Sequence, residues 1–392
     1  MSEPGGKYRV LIVDDSTFMC RVLQSIIGAD PNLEVLATAR DGREAVSMAE
    51  KLKPDVITMD INMPHVDGLQ ATEIIMSTNP RPIVIVSSES RDGAEPTLRA
   101  LELGAIDFVT KPSAGIDLDM NSVREELCRK LKLAAKVRVV RNASRTTLQG
   151  VLAERAAATQ TVVENVTARA AAAGVAPAGV TTAFSSNPVQ ARTGVKFPVV
   201  VIAASTGGPQ VLMRLVPRFP TNFPGAVLLV QHMPGVFTSK FSQQLAEIAS
   251  VKVKEAEQGE LLHAGTMYVC PGSHHVRISP TGRLTLDDGP RVGGYRPCAD
   301  LAMETAASFA GSMGIAAVLT GMGADGSRGI RSIKNAGGYV VAQDEATSVI
   351  FGMPAEAIKT GMVDQVLGID DIYGAIEKRV LYVFGAQKVG ML

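Results

Sequence analysis

The sequence predicts an α/β protein of two domains, and three observations support this prediction. Short apolar runs alternate with segments of helical periodicity in both halves of the chain. The runs are almost continuously apolar, which is typical of strands buried on both faces of a parallel sheet. Residues 151–190, with twelve Ala and only four charged residues, separate the two patterned regions.

The N-terminal region, which we place at residues 7–125, contains five strand-like runs, each followed by a segment with apolar residues at helical spacing. This alternation predicts a (βα)₅ unit, and the flavodoxin-like strand order is the natural arrangement for a doubly wound sheet. The runs are YRVLIV, LEVLATA, DVITM, PIVIVS and AIDFVT.

Residues 126–195 are predicted to hold the end of the last helix and an Ala-rich linker, because this composition buries too little apolar surface to offset chain entropy. Residues 196–386 are predicted to form a second doubly wound, mainly parallel α/β domain. An antiparallel hairpin is expected from HVRISP and RLTLDD, with its turn at 280–282. The predicted strands of the sheet are FPVVVIAAS, GAVLLVQH, TMYVCPG, IAAVLTG and YVVAQ.

Composition excludes several functional classes. The 392 residues include 39 Lys and Arg and 39 Asp and Glu, so the chain lacks the basic footprint of a nucleic-acid-binding protein. No apolar run approaches the roughly 18 residues of a membrane span, and the N-terminus has no signal-peptide core. The four cysteines are scattered, as expected of reduced thiols. We therefore expect a cytoplasmic protein with no nucleic-acid partner and no direct membrane insertion.

Carboxylates and a lysine follow the predicted strands of the N-terminal domain. Asp14 and Asp15 come directly after the first strand, and Asp60 follows the third. Because parallel strands end at one edge of a sheet, these groups are expected to meet, and a hard cation such as Mg²⁺ would relieve their repulsion. Asp60 then suits a carboxylate nucleophile that forms an acyl phosphate. Lys111 and the hydroxyl of Ser87, at the ends of the fifth and fourth strands, would contact the phosphoryl oxygens.

The motifs VDDS, MDINMPHVDG, VSS and VTKP resemble those of receiver domains in two-component response regulators. This resemblance implies that a histidine kinase phosphorylates Asp60. It also implies that Asp14, Asp15 and the backbone carbonyl of Asn62 hold Mg²⁺ beside Asp60, and that Phe108 is an aromatic switch residue. An acidic residue is common at the position of Asn62 in related proteins, and a ligand supplied by the backbone tolerates that change.

A serine, a histidine and an aspartate follow predicted strands of the second domain. Ser205 lies on a strand-to-helix turn, His232 follows the next strand, and Asp325 lies in the Gly-rich loop after a later one. A serine nucleophile needs a base within hydrogen-bond reach, and the base needs a carboxylate that orients it. The chain order differs from that of the nucleophile-elbow hydrolases, and the sequence contains no G-x-S-x-G.

Backbone amides near this serine are candidates for stabilising an oxyanion, because N–H groups at a helix start point outward. The residues concerned are Thr206 and Gly207, which follow Ser205, and Met322 in the Gly-rich loop.

The residues by themselves leave other interpretations open. The STGG turn suits a phosphate-binding loop, although it is neither a Walker loop nor G-x-G-x-x-G. A histidine at a strand end often only packs or forms hydrogen bonds, and GMGADG alone is typical of a loop. A zinc site is a weaker alternative, since the spacing of the relevant residues matches no common ligand pattern. These residues are His263, Cys270, His274, His275 and Cys298.

Taken together, AASTGGP, QHMP, CPGSHH, RPCAD, LTGMGADG and IFGMPAEA resemble the catalytic domain of the chemotaxis protein-glutamate methylesterases. The resemblance implies that Ser205 is the nucleophile, His232 the general base and Asp325 the orienting carboxylate. The implied substrates are methylated glutamates, and also glutamines, on chemoreceptor cytoplasmic domains, with no cofactor for the esterase reaction. Departures from the family are the long linker and Cys298, where a small hydroxyl residue is usual.

The resemblance also implies that the unphosphorylated receiver covers the hydrolase cleft and that phosphorylation opens it. Three other functional classes remain as alternatives. A DNA-binding response regulator requires a basic recognition helix, which is missing. The other two are a receiver coupled to a non-catalytic α/β domain and a nucleotide-binding α/β domain that uses STGG.

Overall fold

The computed structural model describes residues 6–87, 91–111, 120–137, 139 and 197–389. The N-terminal domain is a sheet of five strands flanked by five helices. Its strands are β1 (Tyr8–Val13), β2 (Leu33–Ala39), β3 (Val56–Met59), β4 (Ile83–Ser87) and β5 (Asp107–Thr110), and its helices are α1 (Thr17–Gly28), α2 (Gly42–Leu52), α3 (Gly68–Thr78), α4 (Arg91–Glu102) and α5 (Met120–Ala134).

All strand pairs in this sheet are parallel, and the order β2-β1-β3-β4-β5 confirms the predicted flavodoxin-like arrangement. Strands β3 and β4 are buried along their whole length, as their apolar sequences indicate. The carboxylate of Asp67 caps α3 by accepting a hydrogen bond from the Gln70 N–H at 2.8 Å. Only glycine fits at position 68, because a Cβ there would lie 2.0 Å from the carbonyl oxygen of Asp60.

The C-terminal domain has a seven-stranded sheet, a two-stranded hairpin and six helices within the described residues. Its strands are β6 (Val199–Ala204), β7 (Ala226–Gln231), β8 (Lys252–Glu255), β9 (Thr266–Val269), β10 (His275–Ile278), β11 (Leu284–Asp287), β12 (Gly314–Val318), β13 (Tyr339–Gln343) and β14 (Gln365–Leu367). Its helices are α6 (Gly208–Leu215), α7 (Gly235–Ile248), α8 (Ala299–Ala310), α9 (Gly329–Asn335), α10 (Met353–Lys359) and α11 (Ile369–Val389).

The large sheet is entirely parallel, in the order β14-β13-β12-β6-β7-β9-β8. The predicted hairpin is present as β10 and β11, with Gly282 at φ 79° in its turn. The edge strands β8 and β14 were not predicted, because KVKE and QVL are short and carry few apolar residues. The predicted boundary at residue 125 falls inside α5, which ends at Ala134, and most of the predicted linker lies outside the described residues.

The two domains pack against each other through α4 and β5 of the first and α6 and α7 of the second. Phe108 lies on Phe237 with ring centroids 4.3 Å apart. The side-chain amide of Gln210 donates to the carbonyl of Ala105 at 2.7 Å. Apolar side chains of both domains therefore form one continuous core cluster. Within the described ranges, no helix combines the length and the apolarity needed to span a lipid bilayer.

Candidate functional site

The acidic residues of the N-terminal domain meet at the edge where its strands end. The Lys111 ammonium lies 2.9 Å from a carboxylate oxygen of Asp14 and 2.9 Å from one of Asp60. Asp14 and Asp60 are buried, whereas Asp15 is exposed. The structure therefore brings together the carboxylates and the lysine that the sequence placed at three separate strand ends.

These carboxylates fit a magnesium ion. One oxygen from each of Asp14, Asp15 and Asp60 lies within 4.8 Å of the others. Mg²⁺ prefers such oxygen donors and usually retains several waters, which the exposed side of the cluster at Asp15 allows. Asn62 is exposed on the loop that follows β3.

Burial and the neighbouring charges act in opposite directions on Asp60. Burial raises its pKa, the hydrogen bond and charge of Lys111 lower it, and the nearby Asp14 raises it again, so that the pKa ends above its ordinary value. Burial alone would lower the pKa of Lys111, but its contacts with Asp14 and Asp60 outweigh burial and raise it. The lysine therefore remains a cation beside a poorly hydrated carboxylate.

The two proposed switch residues lie toward α4 and the second domain. The Ser87 hydroxyl accepts a hydrogen bond from the Thr97 hydroxyl at 2.8 Å and donates to the carbonyl of Gly93 at 3.4 Å. Phe108 is buried between Phe237 of the second domain and the ammonium of Lys130, which lies 5.3 Å from the ring centroid. A movement of the Phe108 ring would therefore directly alter the packing at the domain interface.

Ser205 and His232 leave the large sheet side by side. Ala204 pairs with Gln231 in the register of β6 and β7, and the His232 N–H donates to the Ala204 carbonyl at 3.1 Å. The Gln231 amide fastens the two strand ends by donating to the carbonyls of Ser205, at 3.0 Å, and His232, at 3.2 Å. A Cβ at Gly208 would lie 2.0 Å from the Gln231 side-chain oxygen, so a larger residue there would displace this amide.

His232 and Asp325 are in direct contact. The His232 Nε2 lies 2.7 Å from an Asp325 carboxylate oxygen. The buried Nδ1 of the same ring has no hydrogen-bond partner among the described residues. No hydrogen bond joins the Ser205 hydroxyl to the imidazole in the described part of the chain. Nδ1 is therefore the ring nitrogen left to accept a proton.

Asp325 is held by the N-terminus of α8. Its carboxylate accepts hydrogen bonds from the N–H groups of Ala299, at 2.7 Å, and Asp300, at 3.0 Å, and from the Cys298 thiol at 3.2 Å. Burial alone would raise the pKa of Asp325, but the hydrogen bond and charge of His232, followed by these two N–H groups, hold it below its ordinary value. The carboxylate therefore stays ionised and fixed in orientation.

Replacement of Asp325 with Ala is expected to destabilise the protein by about 2–4 kcal/mol near neutral pH, since several buried donors lose their acceptor. The depressed folded-state pKa means that this contribution is complete above the unfolded-state pKa of about 3.9 and is lost as the pH falls through the folded-state value. Urea unfolding of both proteins from pH 7 to pH 3 measures the difference. Asp288→Ala, at an exposed carboxylate, is the control, and a difference that does not shrink in acid would contradict the assignment.

The proposed oxyanion donors surround Ser205. Among the described residues, the backbone N–H groups of Thr206, Gly207 and Met322 form no hydrogen bond. Gly207 has φ 74°, a left-handed conformation that favours glycine. The loop that holds Met322 approaches closely, because a Cβ on Gly321 would lie 2.8 Å from the Ser205 Cβ.

Three residues near this site were not singled out from the sequence. The Thr206 hydroxyl donates a hydrogen bond to the carboxylate of Asp107, on β5 of the first domain. The Arg129 guanidinium, on α5, lies 3.5 Å from the Met322 sulfur. The Tyr295 ring stacks on the imidazole of His232. Asp107 and Arg129 belong to ordinary strand and helix patterns, and the only local signal for Tyr295 is the Gly-Gly pair that precedes it.

The residues of the zinc alternative do not form a cluster in the described part of the chain. His275 Nε2 donates to the carbonyl of Pro290 at 3.0 Å, and Cys270 is a buried thiol whose pKa is raised by burial. Cys298 lies beside Asp300 and Asp325, but burial and the charge of Asp325 raise its thiol pKa to about 12. A protonated thiol is a poor metal ligand.

The fold and the two sites define a class of protein: a two-domain response regulator whose second domain has the layout of an α/β serine hydrolase. The family model for the CheB methylesterase matches residues 200–376, and that for the response regulator receiver domain matches residues 10–121. The chain belongs to the CheB methylesterase family, in which a receiver domain regulates a chemotaxis methylesterase. The alternatives with a non-catalytic or nucleotide-binding second domain are not favoured.

One relative of similar length and two solved domain structures are among the proteins similar to this chain. A protein-glutamate methylesterase/protein-glutamine glutaminase of Pyrococcus abyssi is 42% identical over 391 residues, which is 98% of this chain and 97% of the relative. The crystal structure of the Thermotoga maritima CheB methylesterase catalytic domain is 38% identical, with a TM-score of 0.46, and covers 47% of this chain and 99% of that one. The response regulator domain of Thermotoga maritima CheB is 47% identical, with a TM-score of 0.31, and covers 34% of this chain and 98% of that one.

Proposed function

We propose that this protein hydrolyses glutamate γ-methyl esters, and deamidates glutamines, on the cytoplasmic domains of chemoreceptors, with Ser205 as its nucleophile. The observation that carries the proposal is the arrangement of His232. One ring nitrogen is held by Asp325 at 2.7 Å, and the other is buried without a partner among the described residues, beside the strand end that carries Ser205. This is the arrangement that a general base requires.

In the proposed mechanism, the Ser205 hydroxyl oxygen attacks the ester carbonyl carbon while its proton passes to Nδ1 of His232. Asp325 stabilises the resulting imidazolium, and backbone N–H groups of Thr206, Gly207 or Met322 stabilise the oxyanion. The imidazolium then protonates the leaving methoxide, which departs as methanol. Water gives a proton to His232 as it attacks the acyl-enzyme, the imidazolium returns this proton to the departing Ser205 oxygen, and the released glutamic acid side chain ionises to the carboxylate. With a glutamine substrate, ammonia leaves in place of methanol.

The receiver site would control this reaction through Asp60, which takes a phosphoryl group from a histidine kinase. Asp14, Asp15, Asp60 and the carbonyl of Asn62 would hold a Mg²⁺ ion, which would supply positive charge to offset that of the phosphoryl group. Lys111 exchanges one of its present carboxylate contacts for a phosphoryl oxygen. The Ser87 hydroxyl donates a hydrogen bond to a second phosphoryl oxygen.

The domain interface supports inhibition by the unphosphorylated receiver. Asp107 binds the hydroxyl of Thr206, the neighbour of the proposed nucleophile, and the Arg129 guanidinium lies against the Met322 sulfur. A receptor helix and the docked receiver would compete for this space. Phosphorylation acts through the switch residues Ser87 and Phe108 and weakens the docking.

The experiment measures methanol release from a methylated receptor, with and without a small phosphodonor plus Mg²⁺. We expect the phosphodonor to raise the rate in the wild-type protein. Asp60→Asn is expected to remove this increase while leaving the basal rate unchanged, because the variant has no acceptor carboxylate. Glu73→Gln, at an exposed position on α3, is the matched control. Absence of methanol release under both conditions would refute the proposed activity, and full activation of Asp60→Asn would refute the proposed phosphorylation site.

A further inference from the structure

Tyr295 covers one face of the proposed general base. Its ring stacks on the His232 imidazole with centroids 4.4 Å apart and planes inclined by 18°. We propose that Tyr295 is a positioning residue, which fixes the plane of the imidazole between Ser205 and Asp325 and stabilises it once it is protonated. This inference rests on the proposed function, since it assigns His232 the role of base.

The backbone holds Tyr295 in place independently of His232. Val292 and Tyr295 exchange two backbone hydrogen bonds of 3.0 Å across a tight turn, in which Gly293 and Gly294 have φ values of 60° and 90°. Arg296 donates hydrogen bonds to the backbone on the other side of this loop, at the carbonyls of residues 288 and 289. The Pro290 carbonyl accepts a further bond from a buried histidine of β10. The loop that carries Tyr295 is therefore held in place by several hydrogen bonds that do not involve His232.

The hydroxyl of Tyr295 gives the ring a second attachment. It donates to the carbonyl of Met322 at 3.3 Å. The close approach depends on Gly323, where a Cβ would lie 1.8 Å from the Tyr295 hydroxyl oxygen. Met322 also supplies one of the candidate oxyanion N–H groups, so Tyr295 connects the proposed base with the loop beside Ser205.

This geometry has a chemical consequence that differs between the resting and the protonated imidazole. The two ring nitrogens of His232 work together only if the plane of the ring contains the directions to both Ser205 and Asp325. A stacked aromatic face opposes rotation out of that plane. The same face attracts the imidazolium more strongly than the neutral ring. Since the imidazolium forms only after Ser205 gives up its proton, the interaction strengthens on the way to the transition state and affects kcat more than KM.

The test compares Tyr295→Phe with Tyr295→Leu in the full-length protein, using methanol release from a methylated receptor with a phosphodonor and Mg²⁺. We expect Tyr295→Phe to keep kcat within about threefold of the wild type, because the aromatic face remains. We expect Tyr295→Leu to lower kcat about tenfold, with KM within about twofold. In NMR spectra, the His232 ring protons should carry an upfield ring-current shift in the wild type and in Tyr295→Phe, and lose it in Tyr295→Leu. Thermal unfolding verifies that both variants fold.

An unchanged kcat in folded Tyr295→Leu, or an effect confined to KM, would overturn the inference. Equal losses in both variants would assign the role to the hydroxyl and also overturn it. A failure of the proposed function gives a different pattern: no methanol release from the wild type, or equal release from Ser205→Ala. An active wild type, an inactive Ser205→Ala and a fully active Tyr295→Leu would leave the proposed function intact and reject only the role of Tyr295.

Discussion

Replacement of Ser205 with Ala is expected to lower kcat for methanol release by about 10⁴-fold or more, because the acyl-enzyme can no longer form. The remaining groups, His232 with Asp325 and the oxyanion N–H donors, would still bind and polarise the ester. A small residual rate above that of water is therefore expected, with KM almost unchanged.

The measurement is steady-state methanol release from a methylated receptor, with the phosphodonor and Mg²⁺ present so that the cleft is open. Ser250→Ala, at an exposed serine between α7 and β8, removes the same hydroxyl group far from the proposed site and should retain full activity. Phosphorylation of Asp60 and the unfolding midpoint should be unaffected in Ser205→Ala. Retained turnover in this variant would show that another group is the nucleophile.

The second large effect is expected from a charge placed in the domain interface. The side-chain amide of Gln244, on α7, donates a hydrogen bond to the carboxylate of Glu102 at the end of α4. Gln244→Glu would set two carboxylates against each other, which costs on the order of 1 to several kcal/mol across an interface. Since about 1.4 kcal/mol changes an equilibrium tenfold, we expect the basal methanol release of the unphosphorylated protein to rise several-fold to tenfold or more.

Basal and phosphodonor-stimulated rates are measured for each variant. In Gln244→Glu the phosphodonor should add little, because the cleft is already open. The double variant Glu102→Gln with Gln244→Glu restores an amide–carboxylate pair and should return the basal rate to its wild-type value. Gln243→Glu, at the exposed neighbouring position, should have no effect. Deletion of residues 1–195 removes the receiver and sets the upper limit of the basal methanol-release rate. A folded truncated protein whose basal rate is not increased would contradict inhibition by docking.

Much of the fold was predictable because both sheets consist of parallel strands buried on both faces. Their near-continuous apolar runs, such as β4 and β6, are distinct in the sequence. The strand ends were predictable for the same reason, since parallel strands carry their loops to one edge of the sheet. This rule placed Asp14 near Asp60 and Ser205 near His232 without any knowledge of distance. It did not identify β8 and β14. These strands lie at the two edges of the sheet, where each pairs with a single neighbour, and they are short and contain few apolar residues.

The sequence by itself determined the order of elements, the edge of each sheet where polar groups meet and the chemical types of those groups. Only the tertiary structure decided which ring nitrogen of His232 faces Asp325, that Tyr295 covers the imidazole, and that Asp107 and Arg129 of the receiver reach the second domain. The physical reason is that periodicity reports which face of an element is buried. It contains no information on loop paths or on the docking of one domain against another, and these contacts depend on both.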